Sequence, residues 1–344
     1  MKTRSFLLVA LIATGFFTAC NNDVAVESLK SGQEISFRLQ GGMPEVVTRA
    51  TATTLNNLDA FVVWGTDDVL AATSDFLFEG KTVAREYDPV GPIFNYYPKV
   101  YYSDNATLAG FFAFSPVSAQ VSAVDVSAFL TGASFEYEVL PPDGTGNAVQ
   151  EDFLVAGEIA DPATNLVSLD FKHALSRIFV KAISDASEEP VIIKKLTLKN
   201  LKNEGKLEVE PNTPTPTALV WDWDPTHPSS LIDYNYCLAE AGVAVPAGLS
   251  DTILVTSMEQ GMMILPQEVL AGSDPDSDFA LEVTYDFANL KGRIAHVFIP
   301  AGISPFLFEA GKQYNIIIAF SLDGLAIEFD VAVSDFDAPV NVNP

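Results

Sequence analysis

"ISFRLQ", residues 35–40, places Ile35, Phe37 and Leu39 on one side of an extended chain and Ser36, Arg38 and Gln40 on the other. Strict alternation of this kind is the mark of a half-buried β-strand, because successive side chains of a strand point to opposite faces. The same character recurs downstream. "LNNLDAFVVWG" (55–65), "TLAGFFAFSP" (107–116), "IIKKLTLKNL" (192–201), "FALEVTYDF" (279–287), "RIAHVFIP" (293–300) and "QYNIIIAFSL" (313–322) are β-rich and bounded by Gly, Pro, Asn or Asp. Helical periodicity is weak throughout; the best candidates are the short "HALSR" and "YCLAEAG". Many short strands with frequent turn signals predict an all-β protein built of sandwiches, not a parallel α/β sheet.

A faint echo between "ISFRLQ…LNNLDAFVVW" and "SRIFVKAIS…IIKKLTLKNLKNEGKL" suggests two similar halves divided near "SLDFKHALSR", around residue 170. The chain has 344 residues, enough for two ordinary domains and a large core. Its 19 Lys and Arg stand against 45 Asp and Glu, for a net charge of −26. Such a surface repels nucleic acid and anionic lipid and keeps an exported protein soluble, so nucleic acid is excluded as a partner.

The first residues, "MKTRSFLLVALIATGFFTAC", read as a bacterial export signal. Lys2 and Arg4 form its positive end, and Phe6 to Ala13 form an apolar stretch too short to span a bilayer. Thr18 and Ala19 precede Cys20 in a lipobox arrangement, with Phe17 where leucine is usual. Cleavage before Cys20 would expose it for lipidation, and each buried methylene contributes about 0.8 kcal/mol to anchoring. The second cysteine, Cys237, then has no disulfide partner and reads as a small buried hydrophobe.

No catalytic constellation emerges. The three histidines, His173, His227 and His296, lack metal-ligand spacing, and no nucleophile elbow, dinucleotide fingerprint or phosphate loop is present. Asp274, Asp276 and Asp278 alternate in "GSDPDSDF" as calcium ligands can, but Pro275 and the lack of a closing glutamate depart from the EF-hand pattern. A solvated loop is the preferred reading. Trp221 and Trp223 in "WDWDPTHPSS" suit core packing better than stacking on a sugar. Neither an enzyme nor a cofactor is expected.

Taken in order, "TRA" (48–50), "FNYYP…LAGFFAFSP" (94–116), "DFLVAG" (152–157), "LDFKHALSRIFVKA" (169–182), "LTLKNLKNEGKL" (196–207), "MMILPQ" (262–267) and "FEAGKQYNIIIAF" (308–320) resemble the fimbrillin family, the subunits of type V pili of Bacteroidales-type bacteria. The resemblance spans almost the whole chain. It implies two tandem transthyretin-like β-sandwich domains, a lipidated outer-membrane precursor, maturation by an arginine-specific protease, and polymerisation into adhesive surface fibres by β-strand exchange with other pilus subunits.

On this basis residues 1–19 are the signal peptide, 20–49 a propeptide carrying the first strand, 50–170 the N-terminal domain and 171–344 the C-terminal domain. Lipidation falls on Cys20, and cleavage falls between Arg49 and Ala50, where Gly41, Gly42, Pro44 and the following "TATT" make an accessible stretch. Arg38 is the other arginine nearby, but it lies inside the strand. Cleavage at Arg49 would release the strand of Ile35, Phe37 and Leu39 and leave a groove for another chain's strand.

Leu325, Ile327, Phe329, Val331 and Val333 share one face of "GLAIEFDVAVSDF" and form a candidate donor strand, worth on the order of 10 kcal/mol gross if fully buried. An equal reading makes "QYNIIIAFSLDGLAIEFDVAVS" a hairpin of the second domain, turned at Asp323-Gly324. Shaft subunit, tip or anchor subunit, and a non-polymerising carbohydrate-binding lipoprotein all remain open at this point, as do host or bacterial ligands. The mature mass tests the cleavage reading: a chain beginning at Ala50 is expected, whereas a lipid-bearing chain beginning at Cys20 would contradict it.

Overall fold

The computed structural model describes residues 32–39, 58–69, 76–86, 93–117, 120–129, 132–141, 150–185, 189–209, 220–222, 231–248, 252–256, 261–321 and 327–335. At 123, 127, 128, 220–222, 237 and 327–329 the description is of the backbone alone. The protein is all-β. The strands of its first half are β1 (Ser36–Leu39), β2 (Ala60–Thr66), β3 (Phe78–Glu86), β4 (Ile93–Asn95) and β5 (Ala109–Ser115). They are followed by β6 (Val121–Ala128), β7 (Gly132–Glu138), β8 (Leu154–Ala160), β9 (Leu166–Leu169) and β10 (Lys172–His173).

Eight of these form one sheet in the order β10-β8-β5-β2-β3-β4-β1-β9. Its two ends are joined through only Asp170 and Phe171, so the sheet folds over on itself. The β4-β1-β9 side closes over the β8-β5-β2-β3 side, and an aromatic core fills the space between: Phe37, Phe61, Phe78, Phe94, Phe111 and Phe171 are all buried there. "AGFFAFS" of β5 lacks polar alternation because both its faces are covered. Ala109, Phe111 and Ala113 enter this first core, while Phe112 and Phe114 enter a second one behind the sheet. β2 divides in the same way, with Phe61 and Val63 forward and Val62 behind. A strand covered on both faces reads as a continuous apolar run.

The second half begins with β11 (Ser176–Ser184), β12 (Val191–Leu201), β13 (Glu204–Val209), β14 (Val220–Asp222), β15 (Ile232–Cys237), β16 (Val243–Val245) and β17 (Ile253–Leu254). It continues with β18 (Met262–Ile264), β19 (Gln267–Val269), β20 (Ala280–Phe287), β21 (Leu290–Phe298), β22 (Phe306–Phe308), β23 (Lys312–Phe320) and β24 (Ile327–Asp335). Two five-stranded sheets, β17-β11-β23-β24 with β18 and β15-β12-β20-β21 with β16, enclose Ile178, Val180, Leu196, Leu198, Val283 and Ile316. β19 and β22 form a two-stranded ribbon.

A further sheet, β14-β13-β7-β6, takes strands from both sides of residue 170. β7 and β13 pair antiparallel from Glu138↔Glu204 to Ala133↔Val209. The core behind the eight-stranded sheet therefore runs without a break from Phe135 and Phe153 to the second-half sandwich. Polar side chains reinforce the junction. Gln150 donates to the Met263 carbonyl and accepts from the Met263 N–H, each at 2.8 Å, and Gln267 accepts from the Lys202 N–H at 2.9 Å.

Neither helical candidate forms. "HALSR" supplies the end of β10 and the start of β11, and "YCLAEAG" ends β15 and turns at 239–242. A segment of five to seven residues cannot offset helix nucleation, and the edges of neighbouring strands take its backbone groups instead. One 3-10 turn, Ala301–Ile303, is the only helix among the described residues.

Leu207 is fully buried in β13 at the junction sheet. Leu207→Ala is expected to lower stability by about 2–5 kcal/mol, read as a fall in the urea midpoint; a change within 0.5 kcal/mol would contradict this packing.

Candidate functional site: the β1 slot and the β24 edge

β1 is an interior strand. It pairs antiparallel with β4 at Phe37↔Phe94 and parallel with β9 from Ser36↔Leu166 to Leu39↔Leu169. The pairing extends upstream: the Ile35 N–H donates to the Val100 carbonyl at 3.0 Å, and the Tyr102 N–H to the Gln33 carbonyl at 3.1 Å. Without residues 33–39, β4 and β9 would face each other across an unfilled row of donors and acceptors.

The side chains fit as tightly as the backbone. Ile35 is fully buried and Phe37 is 5% exposed. The Phe37 ring meets Phe61, Phe78, Tyr96 and Phe111 at centroid distances of 5.8, 5.5, 5.8 and 5.8 Å, all close to edge-on. Such edge-to-face contacts add about 0.5–1.5 kcal/mol per pair beyond area burial. The Tyr96 hydroxyl donates to the Ile35 carbonyl at 2.6 Å, and burial pushes its pKa up to about 12, so the proton is held across the neutral range. Leu39 is half-buried and packs against the same core. Outside, Arg38 donates to the Ser168 hydroxyl, and Lys99 pairs with Glu34 at 2.7 Å. Both lie near the surface, where such contacts are worth little.

At the entry to the slot sits Gly32. A Cβ there would collide with the carbonyl oxygen of Tyr102, so any side chain requires the backbone to move.

β24 is held differently. Among the described residues it pairs with β23 alone, from Lys312↔Asp335 to Phe320↔Ile327, and forms the edge of its sheet. Val331 is half-buried, Val333 is 51% exposed, and Asp330 and Ala332 are exposed. Ile327 and Phe329 occupy register positions opposite Phe320 and Ile318. Cys20, Arg49, Ala50 and Leu325 lie outside the described residues, as do Trp223 and His227. Trp221 lies on β14, opposite Leu207.

The acidic loop is tied up internally. Asp278 Oδ2 accepts from the Ser273 and Asp274 N–H groups at 2.9 and 3.0 Å, and Asp274 Oδ1 accepts from the Asp276 N–H at 3.0 Å. The backbone donors at Asp274 and Ser273 hold the Asp278 carboxyl below its ordinary range. Among the described residues no group of three or more His, Cys, Asp or Glu is placed to hold a metal. His173 is buried against Asp152, with Nδ1 2.8 Å from Oδ2, and His296 lies on β21 at 3.1 Å from Glu282.

The aromatic ring set around Phe37 escapes sequence reasoning because its members come from β2, β3, β5 and the turn after β4. Only the phenylalanine richness of "AGFFAFS" hinted at it.

A family model described as fimbrillin-like matches residues 48–335. Among solved structures, the chain is similar to a fimbrial protein from Bacteroides vulgatus, with a TM-score of 0.62 at 11% identity over 88% of this chain and 99% of that one. It is also similar to a candidate cell adhesion protein from Bacteroides uniformis, with a TM-score of 0.53 at 13% identity over 89% of this chain and 99% of that one. Identities this low establish a shared fold. No curated protein matches the sequence.

Phe37→Ala is expected to destabilise the uncut protein by about 3–5 kcal/mol in urea denaturation; an unchanged midpoint would mean that the ring set does not hold β1. Asp278 provides a pH test. Because its folded pKa is depressed, its contribution is present above the unfolded value of about 3.9 and is lost as pH falls through the folded value. The protection factors of the Ser273 and Asp274 amides, measured against intrinsic exchange at each pH, should therefore fall below about pH 4 and be lost at neutral pH in Asp278→Ala. Protection that persists in that variant would contradict the assignment.

Proposed function

The chain belongs to the fimbrillin-like family, and on that premise we propose that it is a structural subunit of an adhesive surface fibre, assembled by exchanging β1 for a strand supplied by a neighbour. In this reading the precursor is lipidated at Cys20, reaches the outer membrane and is cut between Arg49 and Ala50 by an arginine-specific protease. Its partners are other pilus subunits, and the fibre carries the contact with host or bacterial surfaces. Residues 50–170 and 171–344 serve as the two sandwich units, coupled through the β7–β13 pairing.

The observation that supports this most is the position of β1. It is a short interior strand, bonded on both edges, and it lies upstream of both Arg49 and the family match. Cutting there removes its covalent tether. Ile35 and Phe37, at about 1.5–3 kcal/mol each for burial, then hold the strand by contacts alone. Loss of the strand leaves two rows of backbone groups and an aromatic groove in water, and a strand from another molecule relieves both. Before the cut, the tethered strand occupies the slot at high effective concentration and keeps the precursor monomeric.

The β23–β24 hairpin, paired through nine residues, favours a second reading. If β24 never leaves β23, the molecule accepts a strand without giving one and sits at a fibre end as a tip or anchor subunit. Antibody labelling of fibres separates the two: decoration along the shaft supports the first, and one spot per fibre end the second.

Treating purified precursor with an arginine-specific protease should give a ladder of heat-sensitive multimers in unboiled gels. Arg49→Ala should give none. A lone shortened band from the unaltered precursor would contradict assembly by strand exchange.

A further inference from the structure

Exposure alternates along β4 and the turn that follows it. Ile93 is 47% exposed, Phe94 buried, Asn95 half-buried, Tyr96 buried and Tyr97 68% exposed. Phe94 and Tyr96 enter the first core, which leaves Ile93, Asn95 and Tyr97 as the outward set. No other large hydrophobic side chain among the described residues is as exposed as Tyr97. A surface aromatic standing alone is ordinary. This one stands in a fixed polar frame. The Lys99 ammonium lies 5.6 Å from the Tyr97 ring centroid and 5.3 Å from that of Tyr96. It pairs with Glu34 at 2.7 Å and donates to Asn95 Oδ1, while Asn95 Nδ2 donates to Glu86 Oε2 at 3.0 Å. Carboxylate, amide and ammonium are thus held in one chain beside an open ring.

We propose that Tyr97, Asn95, Glu86 and Lys99 form a binding site for an uncharged saccharide, with Tyr97 as the platform on which one sugar ring stacks. Each part of such a ligand has a counterpart here. The C–H face of a pyranose is weakly positive and lies favourably against the negative face of an aromatic ring. Its hydroxyls both donate and accept, so they need partners of both kinds. A carboxylate accepts several hydrogen bonds and an ammonium donates through each of its protons. Glu86 and Lys99 therefore keep capacity beyond their bonds to Asn95 and Glu34. Those existing bonds also fix the frame in advance, which lowers the ordering cost of binding. Ile93, opposite Glu86 in the β3–β4 pairing, extends the apolar surface toward a second sugar.

Charge selects the class of ligand. A net charge of −26 repels anionic sugars at long range, and the Lys99 ammonium already faces the Glu34 carboxylate. Other partly exposed rings are spent on packing: Trp64 stacks on Phe114 with centroids 5.7 Å apart, and Phe76 lies against Phe129 at 5.8 Å. Glu34 belongs to the β1 segment and leaves with it if that strand is exchanged. The four site residues come from β3, β4 and the turn after it, and they stay. The site is therefore independent of strand exchange, and it gives the surface contact of the fibre a chemical class.

The test uses the full chain, kept uncut by Arg49→Ala, on an array of defined oligosaccharides. Each neutral oligosaccharide on the array is paired with a uronate-bearing analogue of the same length. The expected result is retention of at least one neutral oligosaccharide in preference to its acidic analogue. Its affinity should fall roughly tenfold or more in Tyr97→Ala and stay within about threefold in Tyr97→Phe, which keeps the stacking face. Because the Tyr97 ring is exposed, the urea midpoint of Tyr97→Ala should match that of the unaltered chain, so that lost binding reports the site and not the fold. Retention of no neutral oligosaccharide, stronger retention of the acidic analogues, or undiminished affinity in Tyr97→Ala would each overturn the proposal. None of these outcomes bears on strand exchange, which the multimer ladder reads separately.

Discussion

The structure depends on one short ladder, that of β1 between β4 and β9. A strand in this position satisfies backbone groups on both neighbours, so its removal leaves two rows unpaired, which is costlier than exposing one edge. Phe37 adds specificity to that ladder. Its ring lies edge-on to four others, and no aliphatic residue reproduces those contacts. The eight-stranded sheet closes over its core only because β1 bridges the β4 side to β9. A segment of about seven residues therefore governs whether the first core is sealed.

Behind that sheet the architecture serves a different end. β2, β5 and β8 are covered on both faces, and the sheet of β7 and β13 joins them to the second-half sandwich. A load applied at the slot passes through side chains packed on both faces of one layer and then through paired backbone, with no flexible linker in the described path. Such continuity suits a subunit that is held at both ends. The edge strand β24 contrasts with this. Among the described residues it has one ladder partner, β23, and Asp330, Ala332 and Val333 are exposed.

Much of this was legible in the sequence where local chemistry determined the outcome. Ile35, Phe37 and Leu39 revealed a strand because period-two alternation with one buried face has few other solutions. β24 was legible as a strand for the same reason, but not which residues it would bury: Val331 is half-buried and Val333 is 51% exposed. "AGFFAFS" announced burial but not which core would receive each ring, since a strand covered twice loses its alternation. "HALSR" suggested a helix and became strand, because neighbouring edges outweigh the propensity of five residues. The β7–β13 pairing left no local trace. It joins residues some 70 positions apart, and only the chain's path brings them together. Asp278 looked like one of three equivalent carboxylates, yet backbone donors single it out. The meaning of Gly32 emerged only when the Tyr102 carbonyl was seen beside it.

The central claim is that cutting the tether and releasing β1 opens the first sheet. Amide hydrogen exchange at β4 and β9, on processed monomer kept dilute enough to prevent association, tests it most directly. The account predicts that Phe94, Val167 and Leu169 lose protection when β1 departs and regain it when subunits join. Unchanged protection in the monomer, with residues 32–39 demonstrably absent, would show that the sheet closes without its inner strand and would contradict the account.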